Sequence, residues 1–577
     1  MRFNPFQKAF AAFLFLSLTF SFVPSTSRVS AQWLEPTRGK HAMVASQHEL
    51  ASKIGVEVMK KGGNAVDAAI AVGLALAVVY PEAGNIGGGG FMLIRKANGE
   101  THAIDYREMA PKAANRDMFV DKNGNLIKGE GSSTLGYRAS GVPGTIAGFD
   151  MAFKKYGSGK ITWSELVRPA REMAQNGYVL SYRLAELFKS YKDNLAKYED
   201  SKRIFLNDGR YYEEGDIFRQ PDLANTLLRI EKNGPSDFYN GDTARLIADD
   251  MKTHGGLITL DDLKNYKAKE RTPLRGNYRG HEIITMPPPG SGGVVMFEVL
   301  NILEGYDITK LQSNSAAKYH LVAEAMRRAF ADRAEFLGDP DFTNVPVEKL
   351  TDKKYAGFRR ASINLTKASS SREIGHGDIP GAESMDTTHF TLIDPAGTVV
   401  TNTYTLNDFY GSRVTAKGTG VLLNDEMDDF AARPGKPNMF GLVQGEKNSV
   451  QPGKRPLSSM TPTIVLRKDG SFWFALGARG GPRIISAVIQ SVINVIDFDM
   501  DIQAAIDAPR IHHQWLPDEL LYEPIGFSPD TLNILAGYGH TFAKPGNVAS
   551  ATGVMVDAKG VRLGAIDSRS DGTAIGY

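Results

Sequence analysis

The sequence predicts an α+β fold in which a stacked pair of antiparallel sheets is covered by helices. Two observations point there. A β-rich run, a turn ending in glycine and a second β-rich run recur at Phe91 to Tyr106, Thr388 to Leu406, Pro462 to Leu476 and Thr552 to Ile566. Long stretches with apolar residues at three- and four-residue spacing lie between the first and second of these, and again after the third. Hairpins from both ends of the chain with helices between them bury their apolar faces as layers of helix on sheet. The chain has 577 residues, so the expectation is either several lobes or one large layered domain. Hydrophobic residues make up 42% and charged residues 23%, as in an ordinary soluble enzyme. A net charge of +2 gives no reason to expect nucleic acid or an anionic membrane as partner. With no cysteine, disulfides, thiolate zinc sites and cysteine nucleophiles are excluded.

Taken in order, the chain opens with Arg2 and Lys8, then an apolar run of about 15 residues, Ala9 to Val23, and a small-residue signal at Val29-Ser30-Ala31. This reads as a secretory leader, 1–31, removed before Gln32, with an uncleaved anchor as the alternative. It implies a periplasmic or secreted protein, and no cysteine follows to make a lipoprotein. The next apolar stretch, "AVDAAIAVGLALAVVYP", is interrupted by Asp67, ended by Pro81 and preceded by a candidate N-cap, Asn64. It reads as a buried helix packed on a sheet. Each hairpin has turn chemistry; Asp394-Pro395-Ala396-Gly397 places Pro and Gly as a type I turn prefers. Helices are expected over "ITWSELVRPAREMAQNGY", "TARLIADDMKTHGG" and "AAKYHLVAEAMRRAFADRAEFL", and a helical pair over "SAVIQSVINVIDFDMDIQAAIDAPR".

Two glycine-rich stretches, "GNIGGGGFM" and "MPPPGSGGVV", lack the endings and context of phosphate loops, so tight turns and close packing explain them better. His512-His513 has no HExxH or carboxylate cluster at ligand spacing beside it, so no metal is assigned.

Thr387 and Thr388 open the second hairpin. A threonine pair at a strand start is first of all a good β-former. It gains chemistry if the chain is cut before Thr387. The new α-amine then lies beside the Thr387 hydroxyl and can serve as its base, with a pKa near 7.7–8.0. Downstream of the pair stand "NTYTLNDFYGS", "LLNDEMDDF", "RPLSSMTPT" and "GARGGPR", and upstream "GGNAVDAAIAVG", "GNIGGGGFMLI", "IDYREMAP", "SGVPGTIAGF" and "MPPPGSGG". In this order the segments resemble the γ-glutamyltranspeptidases, or glutathione hydrolases, of the N-terminal nucleophile hydrolase superfamily, over nearly the whole mature chain.

The resemblance implies a four-layer αββα sandwich made as a precursor that cleaves itself between Asp386 and Thr387. The pieces are a large subunit, 32–386, and a small one, 387–577, that stay associated. It implies Thr387 as nucleophile and Thr405 as the threonine that orients it. Arg107, Ser458 and Ser459 match the groups that hold the α-carboxylate of a γ-glutamyl donor; a guanidinium suits a carboxylate because its planar donors fit it in bidentate fashion. Asn407, Glu426 and Asp429 match the acceptors for the α-ammonium, and Gly480 and Gly481 the oxyanion hole. No metal or organic cofactor is implied. The partners implied are a donor such as glutathione and an amino acid or dipeptide acceptor.

The chain departs from the family pattern at two places. Phe440 stands in the lid segment where a tyrosine is common, so it can shield the site by packing but cannot make the tyrosine's hydrogen bond. Ala478-Arg479 replaces the common Ser-Pro before the glycine pair, placing a bulky cation there. Rival readings are a cephalosporin acylase or poly-γ-glutamate processing enzyme of the same superfamily branch, and a non-catalytic, uncleaved binding protein on the same fold.

Overall fold

The computed structural model describes residues 34–374 and 387–577, and the expected leader and Asp386 lie outside them. Residues Pro36–Tyr577 form one unit, so of the two expectations for a chain of this length, the single layered domain holds. Counting only the strands of the two large sheets, the first sheet contains β1 (Thr37–Gly39), β6 (Leu274–Tyr278), β7 (His281–Thr285), β10 (Thr463–Leu466), β11 (Phe472–Arg479), β12 (Ser550–Val556) and β13 (Arg562–Ile566). Its spatial order is β1-β13-β12-β11-β10-β7-β6. The second contains β2 (Met43–Ser46), β3 (Gly89–Arg95), β4 (Thr101–Asp105), β5 (Lys269–Arg271), β8 (Thr388–Ile393), β9 (Val399–Thr405) and β14 (Thr573–Gly576), in the order β14-β2-β8-β9-β3-β4-β5. Neighbouring strands in both sheets run antiparallel.

All four hairpins expected from the sequence form, as β3–β4, β8–β9, β10–β11 and β12–β13. At the second, Gly397 donates to the Asp394 carbonyl at 3.1 Å and closes the expected turn. A fifth hairpin, β6–β7, carries too few consecutive apolar residues to show as a β-rich run.

Helices cover both outer faces. α1 (Glu49–Lys60) and α2 (Ala65–Val79) pack on the second sheet. α2 is buried along its whole length, which is why its sequence is apolar all round, and Asn64 caps it in a reciprocal box with Asp67. α3 (Trp163–Asn176) and α4 (Asp242–Thr253) form where their periodicity places them. α5 (Gly292–Glu304), α6 (Ala316–Phe336), α7 (Arg483–Phe498) and α8 (Ile502–Asp507) build the layer over the first sheet. Helix, sheet, sheet, helix is the expected αββα sandwich.

Strand alternation sorts the second sheet's side chains. Val44, Met92, Ile94, Phe390 and Leu392 share a cluster with α1 and α2. Met43, Ala45, Phe91 and Leu93 share the other cluster with the first sheet and its helices. On β8 and β9 the inward positions carry His389, Thr391, Thr401 and Thr403, buried and mutually bonded: His389 Nδ1 lies 2.8 Å from Thr403 Oγ1, and Nε2 lies 2.8 Å from Thr391 Oγ1. Burial pushes His389 down to about 3, so the imidazole is neutral. Its ring fills the space over Gly477 of β11, where an added Cβ would stand 2.3 Å from the ring.

Gly477→Ala is therefore expected to overpack the sheet interface by about 1–3 kcal/mol, lowering the apparent Tm in a thermal scan. An unchanged Tm would show that the sheets have slack at His389.

Candidate active site

The register of β8 and β9 pairs Thr388 with Tyr404. One step further along the same ladder Thr387 faces Thr405, and alternation turns both toward the space between the sheets. The Thr387 hydroxyl donates to Thr405 Oγ1 at 3.4 Å, and that oxygen also accepts the Asn407 N–H at 2.8 Å. Asn407 has φ of 82°, an uncommon left-handed conformation for a non-glycine residue. Its side-chain amide holds the Asp425 carbonyl at 3.1 Å.

Arg107 follows β4 and is fully buried. Its N–H donates to Asp105 Oδ1 at 3.0 Å, its carbonyl accepts from Tyr266 Oη at 2.7 Å, and its Nε reaches the Pro456 carbonyl at 3.3 Å. The guanidinium is thus held from three directions, with its two outer nitrogens on Glu426 and Asp429. Those carboxylates sit on one 3-10 turn, Glu426–Asp429, whose start is fixed by Glu426 N–H donating to Asn424 Oδ1 at 3.0 Å.

Sequence reasoning missed Glu108, also against Arg107 at 3.3 Å. Burial pushes the Glu426 carboxyl well above the usual range, with Glu108 and Asp429 adding to the effect and Arg107 opposing it. Glu108 is raised for the same first reason, burial. Burial alone would pull the Arg107 guanidinium down, but Glu426, Asp429 and Glu108 together hold it above its ordinary value.

Ser458 and Ser459 lie on a segment bridged to the "PPPGSGG" stretch: Ser458 N–H donates to the Pro289 carbonyl at 2.8 Å, and Ser291 N–H to the Ser458 carbonyl at 2.7 Å. The close approach needs Gly292, since a Cβ there would meet Thr461 Oγ1 at 1.8 Å. That is the packing role expected of this glycine-rich stretch.

Gly480 and Gly481 join β11 to α7, directly before its N-cap Pro482. Their φ values of 134° and 55° belong to glycine. A Cβ on Gly480 would stand 2.9 Å from Ala549 Cα, and one on Gly481 3.0 Å from the Phe440 ring. The turn sits at the positive end of α7, where backbone N–H groups favour negative charge.

Thr387, Thr405, Asn407, Arg107, Glu426 and Asp429 line one cavity together with Phe440, Ser458, Ser459 and Gly481. Gly480 adjoins it in the chain, and Asp386 lies outside the described residues. The cavity holds about 20 Å³, little more than a water. Arg479 is not part of its wall; its guanidinium lies 5.8 Å from the Tyr80 ring centre.

Phe440 is buried on a loop wound around Asn438, whose Oδ1 accepts the Phe440 and Leu442 N–H groups at 3.0 and 3.2 Å. Gln514 holds the Phe440 carbonyl at 3.0 Å. The loop is tied to the site by Asp428, which accepts Met439 N–H at 3.0 Å and Ser133 Oγ at 2.7 Å.

Neither histidine-rich place is built for a metal. His512 is bonded to Ser486 Oγ at 2.7 Å and Gln514 Oε1 at 2.8 Å. His320, Glu324 and His540 bring ligand atoms within 4.8 Å of one another. Glu324, however, is engaged by Arg327, Arg328 and Ser369, and two guanidiniums repel a divalent cation.

Asp428 supplies a pH test. Burial pushes its carboxyl up to about 7, against the bonds from Ser133 and Met439. The folded state therefore keeps a proton that the unfolded chain releases near pH 3.9. The stabilisation is present at low pH and lost as pH rises from about 4 to about 7. Between pH 5 and 8 the Tm of Asp428→Asn should rise relative to wild type; parallel Tm curves would refute the assignment.

Residues 51–577 match the family model described as Gamma-glutamyltranspeptidase. The chain is 48% identical over 556 residues to a glutathione hydrolase proenzyme of Escherichia coli (strain K12), covering 96% of this chain and 95% of that one. Among solved structures, a cephalosporin acylase from Bacillus halodurans superposes with a TM-score of 0.82 at 26% identity, over 96% of this chain and 99% of that one. The Helicobacter pylori gamma-glutamyltranspeptidase matches with a TM-score of 0.55 at 48% identity, over 56% of this chain and 92% of that one.

Proposed function

Since this chain belongs to the gamma-glutamyltranspeptidase family, we propose that it is a self-processing γ-glutamyl hydrolase and transferase acting on glutathione, glutamine and other γ-glutamyl compounds. The observation that carries the reading is the single cavity in which a threonine hydroxyl meets a clamp for an α-amino acid head. Arg107 with Ser458 and Ser459 takes the donor's α-carboxylate. Asn407, Glu426 and Asp429 take its α-ammonium.

In the precursor the Thr387 hydroxyl attacks the Asp386 carbonyl. The peptide nitrogen leaves with a proton as the α-amine of Thr387, and water hydrolyses the resulting ester. The large piece then ends at Asp386 and the small piece begins at Thr387. In turnover the α-amine takes the Thr387 hydroxyl proton as the oxygen attacks the donor's γ-carbonyl. The oxyanion faces the Gly480 and Gly481 N–H groups. Collapse gives the γ-glutamyl ester of Thr387, and the departing amine takes the proton. Water then releases glutamate, or an amino acid or dipeptide amine accepts the acyl group.

The leader supports export to the periplasm or medium. No helix among the described residues is long and apolar enough to cross a membrane.

The acylase superposition favours a second reading, acylase action on a cephalosporin. A glutaryl-cephalosporin, the substrate that tests it, has no α-ammonium to occupy Glu426 and Asp429. Competing rates on glutathione and a glutaryl-cephalosporin separate the two readings.

Thr387→Ala should abolish both self-cleavage and hydrolysis of a γ-glutamyl anilide, and sequencing of the wild-type small fragment should begin at Thr387; a processed, active Thr387→Ala protein would sink the mechanism. Arg107→Ala should still be cleaved but raise KM by about 100-fold, the scale of a lost buried charge pair. An unchanged KM would move the carboxylate site elsewhere.

A further inference from the structure

Arg333 lies on α6, behind the serine pair, with 2% of its surface exposed. Its Nε donates to Ser291 Oγ at 2.9 Å and its Nη2 to Ser459 Oγ at 3.4 Å. Ser291 in turn donates from its hydroxyl to the Ser458 carbonyl at 2.7 Å. The guanidinium thus braces both residues of the pair. Its Nη1 is buried with no hydrogen-bond partner. The negative group that acts on it is Asp429, which is already engaged with Arg107. Burial lowers Arg333 to about 10, so it remains a cation at neutral pH.

A hydroxyl that accepts an N–H bond keeps its own proton to give away. Ser459 is so fixed as a donor, and it lines the cavity. A carboxylate is the acceptor that such a donor suits. Charge counting points the same way. With an α-amino acid head bound, the donor carboxylate joins Glu426, Asp429 and Glu108 around Arg107, and Arg333 adds a second guanidinium on the side of Ser459.

We propose that Arg333 is a positioning residue for the α-carboxylate of the donor, holding Ser459 as a hydroxyl donor and supplying a second positive charge behind Arg107. The proposal rests on the γ-glutamyl reading and adds to it a residue that acts through the serine pair.

The test compares γ-glutamyl p-nitroanilide with 4-aminobutyryl p-nitroanilide, which lacks the α-carboxylate, on the processed enzyme. Arg333→Gln should lower kcat/KM for the first about 10-fold or more, chiefly through KM, as expected for a lost hydrogen bond to a charged group. It should leave the second within about 3-fold, so the ratio collapses. Arg333→Lys, which keeps the charge but cannot span both serines, should fall between. Equal losses on both substrates would mark a merely structural arginine and overturn the proposal, as would an unchanged ratio. If Arg333→Gln is not processed, Arg333→Lys decides by the same ratio: a fall of about 3-fold supports the role, and no fall ends it. A wild-type enzyme inactive on the first substrate would take down the functional reading itself, and this proposal with it.

Discussion

The constraint on which the rest depends is the register of the hairpin formed by Thr388–Ile393 and Val399–Thr405. A slip of one residue would turn Thr387 toward the helices and bring Tyr404, not Thr405, inward. The register is pinned on both faces. Phe390 and Leu392 anchor the outer face among the helix-layer residues. On the inner face His389 is bonded to Thr391, Thr401 and Thr403 and packed on Gly477. A buried polar network of this kind is costly unless fully paired. A slip would break the pairing that makes the network tolerable and expose the apolar set together.

The same strands explain why a cut before Thr387 would leave one body. The second sheet alternates between the two sides of the break. Thr573–Gly576 pairs with Met43–Ser46, which pairs with Thr388–Ile393, and Val399–Thr405 pairs with Gly89–Arg95. The first sheet does likewise, with Thr37–Gly39 on Arg562–Ile566 and His281–Thr285 on Thr463–Leu466. Separating the pieces would open backbone ladders in both sheets and the core between them. Thr387, the proposed nucleophile, is therefore held by strands from both sides of the proposed cut.

Much of this was legible in the sequence because it is written locally. Alternation and turn residues give a hairpin, and Asn64 before an apolar run gives a cap. The ring of site residues was legible for another reason: co-linear segments resemble a known family, and the fold brings ten of the residues so matched to one cavity. What was not legible depends on burial. Arg327, Arg328 and Arg333 stand in a helix whose pattern reads as amphipathic, yet all three are buried. Periodicity does not tell a solvated arginine from one enclosed by distant segments. Glu108 adjoins Arg107 in the chain, but its raised carboxyl comes first from burial, with Asp429, far along the sequence, adding to it. The fifth hairpin was hidden because Leu274–Tyr278 exposes alternate positions and its partner strand offers only Ile283-Ile284 as an apolar run.

If the cavity takes an amino acid head as proposed, the charge arrangement explains how its buried ions would receive one. In the structure Arg107 lies on Glu426 and Asp429, so the guanidinium and both carboxylates each have an ionic partner. A zwitterion entering between them offers a carboxylate to the arginine and an ammonium to the acids. Each group exchanges one partner for another of the same sign, and no bare charge is left in a buried site. A ligand with only one of the two charges cannot make that exchange: it leaves either the guanidinium or the acid pair unpaired, at a cost of several kcal/mol. On the proposed assignment, selectivity for an α-amino acid head would follow from the ion pairing built into the site.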